Sequence, residues 1–184
     1  FSSNSEKPLS PSAINTYFEC PLKFYFRYGL GLKEPNAEED GISSTDLGTI
    51  FHAVMEEIYN GFIRKKRDSQ ISADDLKSLK DEEIYMLIDH FINIHYYKID
   101  KFKTSPKSVS QFHGHLLLAR NLLLEFVRKQ LAVDSRLKDF VYLSSEEKVV
   151  VPIEIDVNGE AKQIYVGGIV DRQDSVDGGK RRIV

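Results

Sequence analysis

GGIVDRQDSVDGGKRRIV, residues 167–184, reads as two extended runs about a tight turn. The arm IYVGGIVDRQD at 164–174 is rich in β-branched residues, DGG at 177–179 supplies turn chemistry, and KRRIV starts a returning strand. A three-residue loop at Asp177, Gly178 and Gly179 pairs Val176 with Lys180. Continued, that register sets Asp171 opposite position 185, the first beyond this sequence. Directly opposed side chains share a sheet face with Cβ atoms about 5 Å apart, close enough for two carboxylates to grip one divalent cation. A loop of two or four residues moves the pairing by one, which would break the match.

Upstream, from about residue 139, the chain keeps the two-residue period of strands. Two extended runs meet at Asn158-Gly159, a strong hairpin signal, so the end of the chain is expected to be a three-strand antiparallel meander. The front is helical. Ser10 is placed to cap a short helix with Pro11 at its first position, and an aromatic run, Phe24, Tyr25, Phe26 and Tyr28, leads to a GLGL break. Residues 33–45, acidic and polar with Pro35 and Gly41, read as a mobile loop. Asp46 then caps LGTIFHAVMEEIYNGFIRKK, where Leu47, Ile50, Phe51, Val54, Ile58 and Phe62 recur at helical spacing. Further helices are expected over about 73–98 and about 110–132, with KTSPKS (103–108) as the loop between them.

With 184 residues, 41% of them hydrophobic, the chain can bury a real core. A single cysteine, Cys20, excludes an internal disulfide framework and favours a reducing, cytoplasmic setting. No apolar run reaches the roughly 20 residues of a membrane helix. The net charge of −3 does not advertise nucleic acid, and the two basic clusters, RKKR at 64–67 and KRR at 180–182, read first as solvated faces. A sequence that opens on Phe1 and closes inside a strand is expected to be a piece of something longer.

Three stretches, in this order, resemble the PD-(D/E)xK nuclease superfamily in its RecB/AddB-like branch. LSPSAINTYFECPLKFYFRYGLGL (9–32) is similar to the S-x-S-x-L…Y-x-x-C-P-x-x-F-x-F opening of those domains, and LGTIFHAVMEE (47–57) resembles their G-x-x-x-H-x-x-x-E helix. GGIVDRQD…GGKRRIV resembles the G-x-x-D-R strand that turns back into D-Y-K-T-G. The resemblance implies an α/β restriction-endonuclease-like core, truncated, as one incomplete nuclease domain over 1–184. Residues 1–135 are its mainly helical portion and 136–184 are the meander, continuing past the chain end into an acid at 185 and a lysine at 187.

By the same resemblance, His52 and Asp171 are catalytic residues that ligate Mg²⁺ or Mn²⁺ together with the missing acid, a donor set that suits a hard octahedral ion. The implied reaction is DNA phosphodiester hydrolysis in repair and recombination, on single strands or duplex ends, beside a helicase subunit or a fused helicase-like region and away from membranes. The fragment alone is expected to be inert. Taken without the family, His52 between Phe51 and Val54 reads equally as a core histidine, whereas Asp171 in a strand of Val, Ile and Gly must be paired, hydrated or metal-bound. Glu56, one turn past His52, either orients it or is a surface acid. Glu147 is either an acid beside the metal or part of an exposed edge. Gly168 suits close backbone approach or a bulge, and Arg172 faces away from Asp171 as an ion-pair partner. Cys20 is either the first thiolate of a [4Fe-4S] cluster of the full-length protein or a small buried thiol. The rival functions are a catalytically inactive nuclease-like scaffold that holds DNA ends and a helical interaction domain.

Overall fold

The computed structural model describes residues 8–32, 41–99 and 112–184, so the expected loop at 103–108 and most of the one at 33–45 lie outside the described residues. Helices come first and a three-stranded sheet, in the order β1-β2-β3, comes last. The elements are α1 (Pro11–Glu19), α2 (Pro21–Phe24) with a π-helical turn (Tyr25–Gly29), α3 (Ser44–Lys66), α4 (Ala73–Ser78), α5 (Asp81–His95), α6 (His115–Asp134), β1 (Val141–Val157), β2 (Glu160–Val176) and β3 (Lys180–Ile183). The mixed α/β class with its terminal meander is therefore as expected. The spatial division does not follow the helix-to-strand boundary near 135. Among the described residues, one compact unit takes 8–32, 145–172 and 184, and the other takes 41–99, 112–144 and 173–183.

The second unit holds the main core. Apolar positions repeat every three or four residues, so each helix offers one buried stripe: Ile50, Val54 and Ile58 on α3, Ile84, Ile88 and Ile92 on α5, Leu123, Val127 and Leu131 on α6. Each such fully buried side chain contributes about 1.5–3 kcal/mol against exposure. Polar groups inside this core are satisfied: the Tyr59 hydroxyl donates to buried Asp134, which also accepts from Gln130 Nε2 at 3.1 Å. Tyr59 stacks on Tyr142 with ring centroids 5.0 Å apart. The start of β1 runs beside the segment 69–71, through Ile71 N–H to Phe140 O at 3.1 Å and Tyr142 N–H to Ser69 O at 3.1 Å.

Three helix boundaries differ from expectation, each for a local reason. Ser43, not Asp46, caps α3: its Oγ accepts the Asp46 N–H at 3.0 Å and its hydroxyl donates to the Asp46 carboxylate at 2.8 Å. Asp46 thus sits in the first turn, where a negative charge meets the positive helix end. The single helix expected over 73–98 is two, because Leu79 turns extended and Glu83 reaches back to accept the Lys80 N–H at 3.0 Å, capping a new start. The last helix begins at His115, after Gly114 in a positive-φ conformation (φ 54°), rather than near 110.

The hairpin registers follow from turn chemistry. Asn158 (φ 58°) and Gly159 (φ 86°) are both left-handed, as a two-residue type I′ loop requires. At the second turn Val176 pairs with Lys180, Ser175 with Arg181, Asp174 with Arg182 and Gln173 with Ile183, the register read from the sequence. The Asp177 N–H donates to Lys138 O at 2.9 Å and fixes this turn to the chain that precedes β1. The basic cluster at 180–182 is not wholly a solvated face: Arg182 bonds the fully buried Asp174 through Nε at 2.8 Å and a second nitrogen at 2.9 Å.

Candidate metal centre

Glu146 and Asp171 sit in the middle of the long hairpin, in the first unit. Each can present a carboxylate oxygen within 4.8 Å of the other's. Asp171 falls on the exposed side of β2 while Arg172 is buried, as strand alternation demands of neighbours and as the sequence implies for Arg172. The register carries on past Ile183, since Arg172 N–H donates to Val184 O at 3.2 Å and Val184 N–H to Arg172 O at 2.9 Å.

Glu146, which was not singled out in the sequence, is the acid placed near Asp171; Glu147, which was, is its neighbour on β1, and both are exposed. A signal was available. Counting twelve residues back from Asn158 and twelve forward from Gly159 reaches Glu146 and Asp171, so a two-residue loop sets them opposite one another. The close approach of the two arms agrees with that count: a Cβ on Gly167 would lie 2.4 Å from Val149 O, so only glycine fits there. Gly168, the glycine of the family motif, faces Pro11 at an ordinary 3.4 Å instead. Glu146 also departs from extended backbone, at φ 51°. A left-handed non-glycine residue inside a strand is a strained conformation of the kind that re-aims a side chain at a bulge.

The donor chemistry fits a hard divalent cation. Mg²⁺–oxygen distances of about 2.0–2.1 Å put two ligand oxygens roughly 3 Å apart when adjacent and roughly 4 Å apart when opposite. A pair of carboxylates within 4.8 Å needs only small side-chain rotations to meet either arrangement. Oxygen donors select Mg²⁺ or Mn²⁺ over softer ions.

His52 and Glu56 belong to the second unit, on α3. His52 is half-buried beside Phe51, with ring centroids 5.6 Å apart and planes at 75°, and Phe51 in turn meets the Phe126 ring edge-on. Glu56 is half-buried one turn further along. Cys20 forms the joint between α1 and α2: its N–H donates to Thr16 O at 2.9 Å, and its Sγ accepts the Lys23 N–H at 3.5 Å. No helix among the described residues is long and apolar enough to cross a membrane.

Comparison with known proteins shows which family the chain belongs to. The chain is 28% identical over 184 residues to an ATP-dependent helicase/deoxyribonuclease subunit from Acetivibrio thermocellus, covering 95% of this chain and 15% of that protein. It is 25% identical over 178 residues to the protein of the same name from Clostridium perfringens, covering 92% and 14%. Over 95 residues it is 33% identical to that of Oenococcus oeni, covering 45% and 8%. The chain thus spans about one seventh or less of the relatives it matches. The family model described as PD-(D/E)XK nuclease superfamily matches residues 8–184. The chain belongs to the PD-(D/E)XK nuclease superfamily.

Proposed function

We propose that this chain is the nuclease portion of a longer helicase-nuclease protein and takes part in metal-dependent hydrolysis of DNA phosphodiester bonds in repair and recombination. The observation that carries the reading is the carboxylate pair of Glu146 and Asp171 on facing arms of the motif hairpin. By the family resemblance, His52 is proposed as a further ligand to a divalent ion held there, through one ring nitrogen. Such an ion, when bound, supplies Lewis-acid polarisation of the phosphate and a water of lowered pKa. The chain's own residues would hold the ion and orient the ring of His52. Glu56 orients His52 from the same helix face. A residue following Val184 would stand opposite Asp171, and an acid there, with a lysine two further on, completes the centre.

The reading is tested with the longer protein. It should degrade DNA with Mg²⁺ or Mn²⁺, and Asp171→Asn, Glu146→Gln and His52→Gln should each lower cleavage by more than about 100-fold. Activity indifferent to Asp171→Asn would defeat it. An inactive protein that still binds DNA ends would favour the scaffold reading. A [4Fe-4S] cluster that uses Cys20 requires three further thiolates from outside these 184 residues and belongs to the same proposal about the longer protein.

A further inference from the structure

Gly167 marks a tight point of the long hairpin, and it precedes the motif glycine, Gly168. A Cβ there would stand 2.4 Å from Val149 O and 3.1 Å from both Cα and Cγ2 of Val150. The first distance is about 1 Å short of ordinary contact, and the atom it meets is backbone, which no rotamer change moves aside. Val149 follows Glu146 by three residues on β1, and Gly167 precedes Asp171 by four on β2. The approach of the strands at this point therefore governs how near the two acid-bearing stretches run. β2 is also tied here by the N-terminal segment: Leu9 bridges Val166 in parallel, through Leu9 N–H to Tyr165 O at 2.8 Å and Gly167 N–H to Leu9 O at 3.1 Å. β1 is an edge strand of the sheet, so a side chain at 167 would displace β1, and Glu146 with it.

We propose that Gly167 is a positioning residue that sets the cation preference of the Glu146–Asp171 centre, holding the two carboxylates at the span of Mg²⁺ rather than that of a larger ion. The inference rests on the metal-dependent reading above, and its own support is a match of lengths. Mg²⁺ binds oxygen at about 2.0–2.1 Å and Ca²⁺ at about 2.3–2.6 Å, so oxygens on opposite sides of the ion stand roughly 0.4–1.2 Å further apart about Ca²⁺. The displacement that a methyl group at 167 demands is of that size. Glu146 is itself held in a left-handed conformation, at φ 51°, and a backbone fixed at a bulge has little slack with which to follow the ion. Mg²⁺ demands near-ideal octahedral geometry and tolerates such misfit poorly, whereas Ca²⁺ accepts irregular coordination.

The test is displacement of bound Mn²⁺ from the longer protein by Mg²⁺ and by Ca²⁺, followed by electron paramagnetic resonance without DNA, with the signal of this centre identified by its loss in Asp171→Asn. In Gly167→Ala the ratio of Mg²⁺ to Ca²⁺ concentrations needed for half-displacement should rise about 10-fold or more. A purely structural role weakens both ions alike and leaves that ratio where it is. Glu146→Asp withdraws one carboxylate by a methylene without touching the contact at Gly167, and should move the ratio in the same direction. A ratio within about 2-fold of the parent's in either variant would overturn the inference while leaving the hydrolysis reading to its own assay. An alanine variant that circular dichroism shows to be unfolded would assign Gly167 to folding alone, and would also overturn it. Bound Mn²⁺ indifferent to Asp171→Asn would instead defeat the metal-dependent reading itself, and this inference with it.

Discussion

Asp171 and Asp174 stand three residues apart on one strand and have opposite fates. Asp174 is fully buried, paired in register with Arg182, and gripped by two guanidinium nitrogens at 2.8 and 2.9 Å. Asp171, on the other face, is exposed and has a second carboxylate, Glu146, within 4.8 Å. A buried charge survives only with partners that offset its desolvation. Two acids brought together cost repulsion, which a cation would remove. Carboxylates in a strand therefore need not share a setting: Asp174 closes the structure with Arg182, and Asp171 stands exposed beside a second acid.

The largest effect should come from breaking the closed end. Asp174→Ala removes the fully buried acid and its two hydrogen bonds from Arg182 and should lower stability by about 2–4 kcal/mol in denaturant titration; a loss below about 1 kcal/mol would mean the pair is ornamental. Removing the Tyr59 hydroxyl, as Tyr59→Phe, leaves Asp134 short of a donor in the core and should lower stability by about 1–3 kcal/mol. The same denaturation experiment on Asp171→Asn should show a change within about 0.5 kcal/mol, because its side chain is exposed. A destabilisation as large as that of Asp174→Ala would erase the contrast between the two aspartates.

A smaller effect should be visible in pH. Burial holds the His95 imidazole below its ordinary 6.5, Lys98 pushes in the same direction, and Asp46 opposes both. A histidine with a lowered folded pKa binds its proton more tightly when unfolded, so this contribution to stability is present above about 6.5 and is lost on acidification toward the folded value. His95→Gln should therefore make stability less sensitive to pH just below 6.5. An unchanged slope would show that His95 does not couple to folding.

Much of this fold was legible in residues. The Asn158-Gly159 dipeptide and the DGG turn dictate both hairpin loops because only those residue types take left-handed φ cheaply, and the register at Val176 and Lys180 followed from loop length. The α3 stripe was legible from its period. What escaped had causes outside simple pattern. Ser43 and Asp46 are both good capping residues, and only the hydrogen-bond geometry chooses between them. The break at Leu79 carries no glycine or proline to announce it. Glu146 hid behind Glu147 because a motif match stops at one strand, while the acid that faces it lies twelve residues beyond a turn. The burial of Asp174 was equally hidden, since its partner Arg182 reads as one of a run of surface cations.

Asp171, Glu146 and His52 are proposed to serve one ion, and residues that hold one ion fail together. The most direct test is therefore a comparison of DNA cleavage by the longer protein carrying Asp171→Asn, Glu146→Gln, or His52→Gln with cleavage by the three pairwise combinations. Each single substitution should remove nearly all metal-dependent activity, and the double variants should be scarcely worse than the singles. Losses that multiply from one substitution to the next, or cleavage that survives any one of them, would contradict a shared ion.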